Sequence, residues 1–167
     1  MRFREGEAVV HSTYGLGKII GEEERTLYGR TLMYYAVRID DMTVWVPADE
    51  NLETRLRPPI RQEEFERLFE ILTGPGEPLP DDRQSRKEIL RERLRDGRAE
   101  SLCYVIRSLE DFRRTHSLNE NDQLHLKRAQ HTLAAEWGYS MSITPEQAGD
   151  ELLHLLSESD GAKRGKS

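Results

Sequence analysis

The chain has 167 residues, a net charge of −6, 36% hydrophobic residues and 34% charged residues, which describes one large or two small domains with modest cores. No apolar run approaches the roughly 20 residues that span a bilayer, and the start lacks the apolar segment of a signal peptide, so we expect a cytoplasmic protein without membrane contact. The acidic balance argues against nonspecific coating of nucleic acid, but it leaves room for a local basic patch.

Short runs rich in valine, isoleucine and tyrosine come first in the chain and predict antiparallel strands. Turn-forming residues separate them, among them Tyr28-Gly29-Arg30 and Asp40-Asp41. A β unit this short cannot form two stacked sheets, so we predict a small, strongly bent barrel that removes its own edges. The expected strands are Glu7–His11, Gly17–Glu22, Met33–Ile39 and Met42–Val46.

The pattern changes from strands to helices near Pro58 and Pro59, which predicts a second domain. Apolar residues at helical spacing indicate a bundle of about five helices. The first three are expected at Arg61–Thr73, Arg83–Arg95 and Arg98–Arg114, and Asn119 and Thr144 fit the N-caps of two more. We therefore predict an α+β protein with a β-barrel domain over residues 1–58, an all-α bundle over 61–158 and a disordered polar tail over 159–167.

The helix expected from Arg83 is strongly basic. Its cations recur at four-residue spacing, with Arg86 beside the start of a slowly winding stripe made of Arg83, Lys87, Arg91 and Arg95. One interpretation is a solvated face on which neighbouring acidic side chains pair with these cations. The other is a ridge that contacts phosphates, helped by the amides of the first helical turn. The pattern alone leaves both open.

A series of short motifs in the first domain resembles a known family. The motifs are F-x-x-G-(D/E)-x-V-V from Phe3, G-x-G from Gly15, Y-Y-x-V from Tyr34, V-P-x-x-x-N from Val46, and L-R-P from Leu56. In this order they are similar to the RNA-polymerase-interacting domain shared by CarD/CdnL-type bacterial transcription regulators and the transcription-repair coupling factor. The helical domain that follows matches the CarD type over nearly the whole chain.

The resemblance implies a small SH3- or Tudor-like barrel that docks on the β-subunit lobe of RNA polymerase by strand pairing and charged contacts. Arg25 matches an arginine that makes such a contact. Trp45 lies where the family often has arginine or an aromatic residue. Because Val44 and Val46 share the inward face, alternation predicts that Trp45 points outward and serves as an interface anchor.

The family also contacts promoter DNA with the start of the basic helix and so modulates the stability of the open complex. The resemblance places Arg83, Arg86, Lys87 and Arg91 in this contact. The family's minor-groove wedge is a tryptophan, and this chain has Arg83 in its place. Because arginine lacks the apolar surface that props bases apart, we predict weaker or phosphate-only DNA contact. The alternative is a protein-only adaptor that docks on polymerase or another partner through the barrel.

Nothing in the sequence indicates catalysis or a cofactor. The five histidines are scattered, and the paired acids lie in expected turns. The single cysteine, Cys103, lies on the apolar stripe of a predicted helix, which favours a core position over a disulfide or a metal site. We therefore expect a monomeric binding protein that is not an enzyme and holds no metal.

Overall fold

A computed structural model describes the backbone of residues 2–164 and the side chains of residues 2–158. Close contacts divide the chain into a sheet unit that ends at Pro59 and a helical unit that begins at Ile60. Strands precede helices along the chain, and the predicted α+β class is confirmed.

The sheet unit is one antiparallel sheet of five strands in the order β4-β3-β2-β1-β5. A short helix, α1 (Leu52–Arg55), precedes the last strand. One face of the sheet packs on a core that includes Phe3, Ile19, Val37 and Leu56. The strands are β1 (Ala8–His11), β2 (Gly15–Leu27), β3 (Arg30–Ile39), β4 (Met42–Pro47) and β5 (Leu56–Arg57).

The sheet is open, and the closed SH3- or Tudor-like barrel predicted from the sequence is not seen. β4 and β5 lie at opposite edges, and no backbone pairing joins them in the described part of the chain. β5 has only two residues and leads directly into Pro58 and Pro59. Because proline has no N–H to donate to a ladder, the residues after Arg57 are poorly suited to extending this edge strand.

β2 and β3 form a hairpin that is longer than the sequence indicates. β2 was expected to end at Glu22, but it pairs with β3 as far as Leu27 opposite Arg30. The hairpin closes at Tyr28 and Gly29, both with positive φ (52° and 77°), which is the backbone of a type I′ turn. The turn therefore lies where the sequence predicted it.

The helical unit starts with a 3₁₀ turn at Gln62–Glu64 and packs its helices around the buried Trp137. Side chains begin the last two helices. Asn119 and Asp122 form a capping box, and Thr144 and Gln147 exchange the same pair of hydrogen bonds. The helices are α2 (Phe65–Thr73), α3 (Arg83–Leu94), α4 (Ala99–Arg113), α5 (Glu120–Met141) and α6 (Pro145–Arg164).

The predicted tail, residues 159–167, overlaps the end of α6. Its side chains and residues 165–167 lie outside the described residues. None of the described helices is both long enough and apolar enough to cross a membrane.

Candidate functional site

The outer face of the sheet carries Trp45, one of the two residues expected to contact a partner. Trp45 lies opposite Ala36 of β3, whereas its neighbour Val46 is buried. The indole is 36% exposed, in agreement with the outward orientation expected from alternation. The pairing of β2 with β3 shifts between Ile19 and Gly21, so Ile20 is the extra residue of a β-bulge and is also exposed on the sheet.

Arg25 and Trp45 form one unit. The guanidinium carbon of Arg25 lies 3.8 Å from the centroid of the Trp45 ring, a cation–π contact. Nη2 of Arg25 is also 3.5 Å from Oε2 of Glu23. The ring supports one face of the guanidinium, which limits the directions in which the arginine can point. Its partly exposed N–H groups remain accessible to a carboxylate of a partner.

The surroundings of this stack suit a protein partner. An open depression beside Trp45 is lined by the apolar residues Ile20 and Ala36 and also by the acidic residues Glu22 and Glu23. Trp45 also lies on β4, an edge strand. In the described part of the chain, the outer edge of β4 has no ladder partner, so it can accept another strand.

The structure corrects the interpretation of Arg86. Arg86 is 3% exposed, and its Nε and Nη2 each donate a 2.9 Å hydrogen bond to the carboxylate of Asp122 on α5. Nη1 donates to the carbonyl oxygens of Pro80 and Asp81, and the guanidinium lies over the ring of Phe112. The prediction that Arg86 contacts DNA is therefore wrong, because its donors are already used inside the protein.

The remaining predicted DNA contacts lie on the accessible side of α3. Arg83 and Arg91 are exposed and Lys87 is half-buried. None of the three makes an ion pair or a side-chain hydrogen bond with a described residue. The nearby acids are paired differently, because Glu88 accepts a bond from Gln84 and Glu92 pairs with Arg95. Acidic neighbours therefore do not pair with these three cations.

A carboxylate caps the first turn of α3. Asp82 is the N-cap, and its Oδ2 accepts hydrogen bonds from the backbone N–H and the hydroxyl of Ser85, at 2.9 Å and 2.8 Å. These bonds hold the pKa of Asp82 below its usual value, so the carboxylate stays charged. Asp82 therefore takes up one amide of the first turn and adds a negative charge at this helix end, which opposes the expected help from helix-end amides.

α5 adds one arginine and one histidine to the basic side of α3, and the sequence alone did not indicate them. The Arg86–Asp122 pair holds α3 against α5. This brings His125 within electrostatic reach of Lys87 and Arg91, and Arg128 lies one helical turn further along α5. Helical spacing could have placed His125 and Arg128 on one face of α5. Nothing in the sequence indicates that this face adjoins α3.

The other reactive residue types are dispersed. Burial raises the pKa of the Cys103 thiol far above its usual value, which keeps it protonated. Among the described residues, no group of three histidine, cysteine, aspartate or glutamate side chains is arranged to hold a metal ion.

Two family models match the chain. The model described as CarD-like/TRCF RID domain matches residues 3–60, which includes the whole five-stranded sheet. The model described as CarD, C-terminal domain matches residues 67–153, from within α2 to within α6. Both candidate surfaces lie inside these matched ranges.

Proposed function

Because the chain belongs to the CarD-like family, whose domains indicate a transcription factor that interacts with RNA polymerase, we propose that it is a cytoplasmic regulator that binds the polymerase β-subunit lobe and promoter DNA. Binding of both modulates the stability of the open complex. The observation that carries the proposal is the Arg25–Trp45 stack on the outer face of the matched domain, beside an unpaired edge strand.

The sheet unit supplies the polymerase contact. The free edge of β4 adds a strand of the lobe by main-chain hydrogen bonding. Trp45, with Ile20 beside it, provides the apolar area that a strand alone lacks. Arg25 then binds a carboxylate of the lobe at the edge of this apolar contact, where the Trp45 ring already limits its rotamers.

The helical unit supplies a weaker DNA contact. Arg83, Lys87 and Arg91 bind backbone phosphates, which positions the duplex without reading its sequence. An arginine at the wedge position interacts with the negative potential of the groove but does not hold a base step open. The effect on the open complex therefore comes mainly from holding the upstream duplex near the polymerase.

The first experiment measures binding of the full chain to the purified β lobe. We expect Arg25→Glu and Trp45→Ala each to weaken binding by about tenfold or more, the usual effect of removing a central anchor. The matched control is Arg4→Glu, which makes the same charge change at an exposed arginine of the sheet unit outside the stack. If all three variants bind like the wild type, the docking surface is elsewhere.

The second experiment measures the lifetime of polymerase open complexes with the full chain. A variant with Arg83, Lys87 and Arg91 all changed to glutamine is expected to bind the lobe normally but to lose most of the effect on lifetime. Arg83→Trp, which restores the wedge, is expected to enlarge the effect. If the glutamine variant acts like the wild type, DNA contact plays no part and the chain is a protein-only adaptor.

The proposal gives this chain a binding role and no catalytic one. The buried, protonated thiol of Cys103 supports this, because a thiol in that state is a poor nucleophile. We likewise propose that the chain acts as a monomer with no cofactor.

A further inference from the structure

His125 occupies the junction between the two helices that form the basic side of the helical unit. Its imidazole is half-buried on α5, one turn after Asp122, which holds the buried Arg86 of α3. This buried ion pair holds α3 against α5 one helical turn from His125. The ring therefore lies within electrostatic reach of two of the proposed phosphate contacts, Lys87 and Arg91.

The charges that face His125 come from both helices. Lys87 and Arg91 on α3, and Arg128 and Asp122 on α5, are the charged groups that act electrostatically on the imidazole. Three of these four groups are cations, so a proton on the imidazole adds a further positive charge to an already positive cluster. Without an anion nearby, burial and the charge of Arg128 keep the pKa of His125 below its ordinary value, and Asp122 only partly opposes them.

We propose that His125 completes a phosphate-binding cluster with Lys87, Arg91 and Arg128, and that it takes up a proton when a DNA phosphate binds there. This inference rests on the proposed DNA contact and adds its regulation. A phosphodiester near the ring reverses the local balance of charge, because an anion favours the imidazolium that the cations disfavour. The imidazolium then donates a charge-assisted hydrogen bond to the phosphate.

Linkage fixes the direction of the pH dependence. If the DNA complex holds the proton on His125 more tightly than the free protein does, the pKa of His125 is higher in the complex. The affinity for DNA then rises as pH falls from above the pKa in the complex to below the pKa in the free protein. Each unit by which DNA binding raises the pKa of His125 increases the affinity for DNA by at most tenfold between high pH and low pH. If DNA binding raises this pKa by about one unit within the range from pH 5.5 to pH 8, we expect DNA to bind about threefold or more tightly at the low end of the range than at the high end.

The test measures binding of the full chain to a duplex promoter fragment between pH 5.5 and pH 8 at constant salt. His125→Gln, which never carries a proton charge, is expected to gain little affinity for DNA as pH falls, whereas the wild type gains affinity. His125→Lys, which is charged throughout, is expected to keep tight binding up to pH 8. The matched control is His131→Gln, at an exposed histidine of the same helix, which is expected to behave like the wild type.

His116 needs a separate control because its Nε2 lies 2.9 Å from Oδ1 of Asp81, near the start of α3. His116→Gln is expected to keep the pH dependence. A direct readout is the NMR titration of the His125 ring, whose pKa should rise when the DNA fragment is added. Thermal unfolding of each variant checks that the helical unit is intact.

The outcomes separate the two proposals. If no DNA binding is detected at any pH, the DNA contact itself is wrong. If DNA binds and His125→Gln retains the full pH dependence of the wild type, the DNA contact stands and the role of His125 is wrong. If the pH dependence disappears in both His125→Gln and His125→Lys, and only the lysine variant binds DNA tightly, the DNA contact and the role of His125 are both supported.

Discussion

The two units present positive charge in different ways. In the sheet unit, Arg25 lies on the ring of Trp45 beside an apolar depression and an unpaired strand edge. In the helical unit, Arg83, Lys87 and Arg91 follow one side of α3 without paired acids. The first arrangement is suited to a protein surface, where apolar area and backbone pairing hold the partner. The second is suited to a polyanion, where charge alone does so.

A second difference lies inside α3 itself, between neighbouring arginines. Arg83 is exposed, whereas Arg86 is buried against Asp122. An arginine on the accessible side of the helix can bind a ligand, whereas an arginine on the buried side holds α3 in place. The largest predicted effect tests this division.

Arg86→Leu is expected to destabilise the helical unit by about 3–5 kcal/mol, because it leaves the carboxylate of Asp122 buried and unpaired. The control Arg83→Leu changes an exposed side chain and is expected to stay within about 0.5 kcal/mol of the wild type. Denaturant unfolding is followed by Trp137 fluorescence in a Trp45→Phe background, since each unit contains one tryptophan. Equal midpoints for the two variants would show that the buried pair does not hold α3.

Gly17 of β2 is closely surrounded by β3 within the sheet unit. A Cβ at Gly17 would lie 2.6 Å from Cγ1 of Ile39 and 2.7 Å from the carbonyl oxygen of Arg38. Gly17→Ala is therefore expected to destabilise the sheet unit by about 1–3 kcal/mol, through strain in the core and the backbone. The helical unit is expected to be unaffected, because none of these contacts involves it.

The control is Gly21→Ala in the same strand, where no atom lies within 4 Å of the added Cβ. Amide hydrogen exchange of the full chain reports each unit separately. Faster exchange in β1–β3 for Gly17→Ala alone is the expected result. Similar exchange in both alanine variants would mean that the sheet relaxes around Gly17 at little cost.

Local pattern predicted the elements that depend on neighbouring residues. The hairpin turn at Tyr28 and Gly29 and the caps at Asn119 and Thr144 are set by a few adjacent side chains, and all lie where expected. The far half of β2 was missed because Glu22 to Thr26 has no apolar alternation. Its pairing with β3 decides that conformation.

The candidate site residues were likewise predictable only where neighbouring residues decide their position. Alternation predicted that Trp45 points outward, but it could not show that Arg25 reaches across the sheet to its ring. Four-residue spacing placed Arg86 beside the basic stripe, whereas Asp122, far along the chain, decides that Arg86 is buried. The distinction between a ligand contact and a structural ion pair therefore required the fold.

The two proposed binding surfaces, one for DNA and one for the polymerase β lobe, should respond differently to salt concentration. Binding of promoter DNA should weaken steeply as salt rises, and each of Arg83→Gln, Lys87→Gln and Arg91→Gln should reduce the log–log slope by about 0.9. Arg67→Gln is the control, because Arg67 pairs with Glu70 at 3.4 Å on α2. Binding to the β lobe, measured over the same salt range, should change far less. Equal slopes for lobe and DNA would remove the distinction between the two surfaces.

The smallest expected effect concerns the pH dependence of the sheet unit. Nδ1 of His11 accepts hydrogen bonds from the backbone N–H groups of Thr13 and Tyr14, at 3.0 Å and 3.3 Å. Burial, with a further contribution from the charge of Arg55, holds the pKa of His11 below 6.5. The unfolded chain therefore binds a proton more readily than the folded one. The stability of the sheet unit should therefore fall as pH decreases from 6.5 toward the pKa of His11 in the folded state.

We expect a loss of roughly 0.5–1.5 kcal/mol, the usual net worth of a hydrogen bond, because a protonated Nδ1 cannot accept from Thr13 and Tyr14. Amide exchange of β1 at pH 5.5 and pH 7.5 measures it. His11→Asn keeps an acceptor for the turn but does not titrate, so its β1 stability should no longer depend on this proton. His154→Asn, at an exposed histidine of α6, should leave the β1 response unchanged. A response that persists in His11→Asn would have to come from another group of the sheet unit.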